Sequence, residues 1–285
     1  MKKMREIDIS EITKEIKEMC IQANYVLSSD MQTKLQNAVQ KEESLLGIKI
    51  LKQLEENLKI AKSDQIPICQ DTGMAVIFIK IGQEVHIING DLEEGIQKGV
   101  REGYQEGYLR KSVVNDPILR ENTKDNTPAV IHYEIIKGDK IEITVAPKGF
   151  GSENMSRIFM LKPADGIEGV KEAVLTSVRE AGPNACPPMV IGVGIGGTFE
   201  KCALLAKKAL TRDLNIPYSY PYPYIKELEE ELLKKINELG IGPGGLGGTQ
   251  TAFAVNIETY STHIAGLPVA VNICCHVNRH ITRVI

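Results

Sequence analysis

Tryptophan is absent and phenylalanine occurs only five times in the 285 residues, so the chain carries no aromatic platform on which unpaired bases could stack. Neither sign of charge dominates. The 34 Lys and Arg against 37 Asp and Glu leave a formal net charge of −3, and no basic stripe follows a phosphate backbone, so nucleic acid is not an expected partner. No apolar run reaches the length that crosses a bilayer, and the charged start Met1-Lys2-Lys3-Met4-Arg5-Glu6 lacks the apolar core of a signal peptide. A cytoplasmic protein with no membrane contact is expected. The six cysteines, at positions 20, 69, 186, 202, 274 and 275, lack the close, regular spacing of a secreted disulfide framework. In a reducing compartment such thiols serve as core residues, ligands or nucleophiles. Internal repeats, low-complexity segments and obvious linkers are also missing.

The chain does have 42% hydrophobic and 25% charged residues, over a length that buries a sizeable core without disulfides. Over residues 9–60 the apolar positions recur at helical spacing: Ile12, Ile16, Met19 and Cys20 share one face, and Leu45, Ile48, Leu51, Leu54 and Leu58 follow at steps of three and four. Three helices are expected there, the middle one capped by Ser29-Asp30, with Cys20 in the core. Residues 74–81 read as a buried strand joined by a hairpin through Gly82 to a strand at 85–88, after which Asp91 caps a helix. Strands at 129–136 and 140–145 are expected to form a hairpin turning at Gly138-Asp139. Further strands are expected at 189–193, 251–257 and 267–273, and helices at 167–180, 199–210 and 225–239. This alternation predicts an α+β fold of mixed sheets flanked by helices. It would form a single domain over 1–285, with N-terminal helices (1–65) packed onto an α/β body (66–285).

The residues with chemistry to offer lie in the irregular stretches. Pro67-Ile68-Cys69-Gln70-Asp71-Thr72-Gly73 sets a thiol and a carboxylate two residues apart in a turn between helix and strand. That places a soft metal ligand, a titratable oxygen and a flexible glycine in one small volume; the plain alternative is a buried cysteine and an Asp-capped turn. Residues 109–127 show no periodicity yet carry Arg110-Lys111-Ser112 and Asp125-Asn126-Thr127-Pro128, and a loop of that length points to binding. Lys148-Gly149-Phe150-Gly151-Ser152-Glu153-Asn154 offers backbone donors for a carboxylate or phosphate. Gly192, Gly194 and Gly197 spell G-x-G-x-x-G between strand and helix. The second parallel strand ending in a ribose-binding acid is missing, however, because the residues before Asp213 are helical and those after it rich in Pro and Tyr. Residues 217–224 suit an extended surface segment that packs on a partner. The six glycines of 240–250 imply close approach of backbone to something, or a sharp reversal.

Cys69, Cys186 and either Cys275 or its neighbour Cys274 stand where apolar elements meet Gly- or Pro-rich loops, as a structural zinc or an iron–sulfur cluster requires. No C-x-x-C pair is present, so three isolated thiolates suit a cubane cluster with one open iron better than a closed zinc site. An open iron is a Lewis acid that can hold a hydroxyl and a carboxylate together, which is the chemistry of hydrating and dehydrating hydroxy acids.

Taken together, these stretches resemble the alpha subunit of the iron–sulfur (class I) fumarate hydratases and the related L-tartrate dehydratases across essentially the whole chain. The matching motifs are Cys69-Gln70-Asp71-Thr72-Gly73, Leu109-Arg110-Lys111-Ser112, Asp125-Asn126-Thr127-Pro128, Lys148 to Asn154, Cys186-Pro187-Pro188, Gly192 to Thr198, Gly245 to Thr249, and Thr262-His263 followed by Cys275-His276. The resemblance implies a [4Fe–4S] cluster held by Cys69, Cys186 and Cys275, the last favoured over Cys274 because it directly precedes His276. It implies the reversible hydration of fumarate to L-malate, a step of the tricarboxylic acid cycle, with L-tartrate dehydration as the alternative. Asp71 would accept the proton from the carbon beta to the hydroxyl, Gln70 and His263 would contact the small dicarboxylate substrate, and Arg110 and the loop at Gly151 would hold a carboxylate. It also implies a separate, smaller beta subunit in a hetero-oligomer of two alpha and two beta chains, without which this chain is inactive. The rival from another class is a non-enzymatic iron–sulfur regulatory or sensor subunit, for which Asp71 beside a ligand and Arg110 in its loop would serve no purpose.

Overall fold

The computed structural model describes residues 4–285; Met1-Lys2-Lys3 of the charged start lie outside the described residues. In chain order the elements are β1 (Arg5–Asp8), α1 (Ile9–Tyr25), α2 (Ser29–Lys41), α3 (Leu45–Asp64), β2 (Met74–Gly82), β3 (Val85–Ile88), α4 (Leu92–Glu106), β4 (Val130–Ile136), β5 (Ile141–Lys148), α5 (Phe150–Glu153), β6 (Arg157–Leu161), α6 (Gly166–Ala181), β7 (Met189–Gly196), α7 (Phe199–Ala209), α8 (Tyr224–Asn237), β8 (Ala252–Tyr260), β9 (Leu267–Cys274) and β10 (Ile281–Val284). This is the α+β class with an N-terminal helical region. Among the described residues no helix is long and apolar enough to cross a membrane. The chain divides into two compact units, one of residues up to 28, 58–149 and 279–285, the other of 29–57 and 150–278.

The first unit is built on a four-stranded sheet in the order β10-β5-β2-β4. Strand β2 lies inside it, antiparallel to β5 and parallel to β4. Its alternate residues Ala75, Ile77 and Ile79 meet Ile12 and Ile16 of α1, Ile96 and Val100 of α4, and Ile141, Ile143 and Val145 of β5 in one buried cluster. The expected hairpin at 129–145 does not form. The strongly apolar β2, with Val76 on its other face also buried, takes the place between the two strands and offers each a full ladder. The expected hairpin through Gly82 is absent too, because β3 runs parallel to β1 in a separate two-stranded sheet. Asp91 caps α4 as expected, accepting the N–H of Glu94 at 2.9 Å.

The second unit holds a sheet ordered β6-β9-β7-β8, with β7 parallel to β8 and antiparallel to β9. One face packs Ile191, Val193, Val255, Ile257, Val271 and Ile273 against Val174 and Val178 of α6 and Leu228, Leu232 and Ile236 of α8. On the other face, a Cβ on Gly192 or Gly194 would fall 2.0 Å from the carbonyl oxygens of Ala206 and Cys202. These glycines let α7 lie directly on β7, so the G-x-G-x-x-G string is a helix-on-strand packing feature. Asp30 does not cap α2, which begins at Ser29. It is buried, and its Oδ2 accepts the N–H of Leu214 at 3.0 Å. Of the tyrosines in 217–224, Tyr218 and Tyr220 turn inward to Glu258 and Glu229, whereas Tyr222 and Tyr224 are exposed and stacked.

What the glycine-rich stretch 240–250 approaches is Glu42. Its carboxylate accepts the backbone N–H groups of Thr249 (2.9 and 3.0 Å) and Gln250 (2.9 Å), and those of Glu43 and Ser44 at 2.9 Å. A Cβ on Gly248 would collide with it at 2.6 Å. The close approach expected of this stretch is thus made to the protein's own carboxylate, which sits among backbone N–H groups.

Candidate active site

In the first unit the residues Cys69 to Gly73 form an irregular turn between α3 and β2, and its carbonyls are clamped from three sides by buried side chains. The Tyr104 hydroxyl donates to the carbonyls of Thr72 (2.8 Å) and Gly73 (3.0 Å). The Asn126 amide donates to Gly73 at 3.1 Å, and Arg279 donates from Nη2 to the carbonyl of Asp71 and from Nε to that of Pro147 at 3.3 Å. Burial pushes the Tyr104 phenol far up, so it stays a donor. The Asp71 side chain folds onto its own turn, Oδ1 accepting the Gly73 N–H at 3.1 Å. Its Oδ2 lies 3.0 Å from where a Cβ on Gly149 would stand, so any side chain at 149 would press on the carboxylate. Gln70 is exposed, and its side-chain oxygen accepts from the Cys69 thiol at 3.5 Å.

The loop carrying Arg110 is tied to this turn. Thr72 donates from its hydroxyl to the Arg110 carbonyl at 3.1 Å, and Asn126 Oδ1 accepts the N–H groups of Ser112 (2.7 Å) and Val113 (3.2 Å). Asn126 in turn follows Asp125, whose carboxyl is lowered to about 2. Burial works against that shift, but the bonds from Arg101 at 2.9 Å and from the N–H and hydroxyl of Thr127 at 3.0 and 2.8 Å outweigh it. The Arg110 side chain itself is exposed.

In the second unit Cys186 is exposed in the left-handed conformation at φ +52°, just ahead of β7. Its carbonyl accepts the N–H of His276 at 3.3 Å, and His276 Nδ1 lies 3.0 Å from the same oxygen. The segment holding Cys275, at the end of β9, is therefore fastened to Cys186. Gly151 is exposed on α5; next to it Ser152 is buried, and Glu153 accepts from Asn272 at 2.9 Å and is ion-paired with Lys207. His263 stands elsewhere. It follows β8 near Gly197, whose carbonyl accepts the Thr262 hydroxyl at 2.9 Å, while Cys186 precedes the opposite end of β7. The seven steps of ~3.3 Å from Met189 to Gly196 put about 23 Å between those ends. The structure does not bring His263 to the two thiols of its own unit. It is exposed, and its Nδ1 accepts the Ala265 N–H at 3.1 Å.

None of the six cysteines is in a disulfide, and they fall into two sets. Cys20, Cys202 and Cys274 are buried, whereas Cys69, Cys186 and Cys275 are not. Burial pushes the Cys20 thiol up to about 12 and raises that of Cys202, which disfavours the thiolate form that binds metal. The accessible set has the donor chemistry of an iron–sulfur site. Cys274 lies within β9 opposite Val190, so of the adjacent pair Cys275 is the accessible one. Among the described residues no three His, Cys, Asp or Glu side chains are gathered as a metal site; Cys69 belongs to the first unit, Cys186 and Cys275 to the second.

Tyr104 and Arg279 carry no signal in the sequence. Tyr104 sits in an ordinary amphipathic helix, and Arg279 meets Asp71 across 208 residues.

The class of protein to which this turn, loop and set of thiols belong is given by comparison. The model of the Fumarate hydratase (Fumerase) family matches residues 13–284, and the chain belongs to that family of hydro-lyases. A Methanocaldococcus jannaschii protein, described provisionally as an L(+)-tartrate dehydratase subunit alpha, is 43% identical over 279 residues, covering 94% of this chain and 95% of that protein. The L(+)-tartrate dehydratase subunit alpha of Escherichia coli strain UTI89 is 31% identical over 274 residues, covering 95% of this chain and 89% of its own length.

Proposed function

We propose that the chain is the alpha subunit of a [4Fe–4S]-dependent hydro-lyase that interconverts fumarate and L-malate. Cys69, Cys186 and Cys275 would hold the cluster, which when bound supplies an open iron as Lewis acid for the hydroxyl and one carboxylate of the substrate. The single observation that carries this reading is that the three thiols outside the core are the three in the stretches that resemble the family's motifs. Six cysteines outside any disulfide also suit a reducing, cytoplasmic setting.

Asp71 acts as the general base on the carbon beta to the hydroxyl. A carboxylate serves for so weak an acid only if its geometry is fixed beforehand, and the Asx turn onto Gly73 and the room left by Gly149 do that. Gln70 contacts the substrate beside Cys69. The exposed Arg110, on a loop whose backbone is fastened, offers a planar fork to the second carboxylate, and the backbone at Gly151 supplements it. His263, at the other end of its sheet, is assigned no part in this site. A separate beta subunit excludes water from the site in a hetero-oligomer, a reading supported by the names of the relatives as alpha subunits. The same names favour a second reading of the substrate, L(+)-tartrate, which would use the same residues.

The test is a panel of L-malate, fumarate and L(+)-tartrate assayed anaerobically on the reconstituted chain together with its partner subunit. The proposal expects kcat/KM for malate and fumarate to exceed that for tartrate by more than tenfold. The reverse order selects tartrate, and no turnover of any of the three by cluster-loaded protein removes the enzymatic reading.

A further inference from the structure

Arg279 is buried at 4% exposure, and a buried guanidinium is normally fully paired. Here Nη2 donates to the carbonyl of Asp71 and Nε to that of Pro147, while Nη1 is buried with no hydrogen-bond partner among the described residues. The two carbonyls belong to different segments of the first unit: the turn, and the end of β5 that runs on to Gly149 and so walls the Asp71 carboxylate. Tyr104 and Asn126 already anchor the following carbonyls, of Thr72 and Gly73, where β2 begins. Arg279 alone of the three grips the carbonyl of the residue that bears the carboxylate.

We propose that Arg279 is a positioning residue for Asp71, its guanidinium fork fixing the Asp71 and Pro147 carbonyls to each other so that the carboxylate is held against Gly149. The inference rests on the role given to Asp71 above. Losing the fork leaves the start of β2 in place and uncouples the Asp71 carbonyl from that of Pro147, whose strand keeps its ladder with β2, so the loss falls on turnover and not on folding or on substrate affinity. Arg279→Lys keeps the charge and loses the fork, because a single ammonium cannot span two carbonyls in a fixed plane.

The test uses the chain with its partner subunit and cluster. In Arg279→Lys, kcat is expected to fall about 10- to 100-fold, the range that a misplacement of an ångström produces. KM should stay within about threefold, with iron content and melting temperature as in the wild type, and Arg279→Ala should regain turnover when millimolar guanidinium is added. Wild-type kcat in Arg279→Lys overturns the inference. So does loss of iron or of the folded state in Arg279→Lys combined with no guanidinium rescue in Arg279→Ala, since the residue would then be a plain structural support. A wild-type protein with no turnover fails the functional reading instead. Amide hydrogen exchange then decides the inference separately: faster exchange confined to residues 70–73 in Arg279→Lys upholds it, and unchanged exchange overturns it.

Discussion

Asn126 donates its side-chain amide to the carbonyl of Gly73 at 3.1 Å while its Oδ1 accepts the backbone N–H groups of Ser112 and Val113. One fully buried side chain therefore ties the Arg110 loop to the turn that holds Asp71, and the spacing of the two residues to which the proposed function gives the substrate carboxylate and the proton depends on it.

Asn126→Ala removes all three bonds, leaving the Gly73 carbonyl to Tyr104 alone and the buried Val113 N–H unpaired, the latter costing about 1–3 kcal/mol. It also places alanine at φ +62°, a left-handed conformation that asparagine tolerates better. Urea unfolding should show a loss of about 2–4 kcal/mol. Asn126→Asp keeps the acceptor and loses the donor, so its loss should be smaller. An Asn126→Ala midpoint equal to the wild type would show that this strut carries no load.

Glu42 gives a prediction in pH. Burial raises its carboxyl, but the backbone N–H groups of Ser44, Thr249, Gln250 and Glu43 outweigh burial and hold it below the ordinary value near 4.5. A group whose folded pKa lies below its unfolded one contributes stability that is present above the unfolded pKa and is lost as pH falls through the folded one. Glu42→Gln turns an amide NH₂ toward backbone donors, and should cost about 1–3 kcal/mol at pH 7. The gap between the two proteins should narrow as the pH drops below about 4.5. A gap of equal size at pH 7 and pH 3 would mean that the charge on Glu42 is not what the glycine-rich loop grips.

Much of this was legible in the sequence because it is local. The three N-terminal helices, the Asp91 cap, the apolar strands and the turn at Cys69 follow from periodicity and punctuation over a dozen residues. Strand partners do not. Both expected hairpins were inferred from adjacency, yet β2 inserts between β4 and β5, and β3 finds β1, a four-residue strand too short and too charged to announce itself. The glycine-rich stretch was recognisable as a close approach, but the group approached, Glu42, lies 207 residues earlier in the chain. Arg279 escaped for the same reason. The candidate site residues are proposed through motifs, whereas the side chains that hold their turn in place, Tyr104, Asn126 and Arg279, are brought to it only by folding.

Asp71→Asn is nearly isosteric and still offers an oxygen to the Gly73 N–H. Iron content should be unchanged, and kcat should fall by about 10²–10⁴, the usual worth of a general base. Substrate affinity should survive, because Arg110 is untouched. Near-normal turnover with full iron would reduce Asp71 to a turn-forming residue.

The division of the cysteines into accessible and buried sets is the basis of the whole functional account. Iron and acid-labile sulfide, measured on anaerobically reconstituted wild type and on each Cys→Ser variant, test it most directly. The expected result is about four of each per chain in the wild type and in Cys20→Ser, Cys202→Ser and Cys274→Ser, with loss of the cluster in Cys69→Ser, Cys186→Ser and Cys275→Ser. A full cluster in any of the last three, or its loss in Cys274→Ser with Cys275→Ser intact, would contradict the assignment.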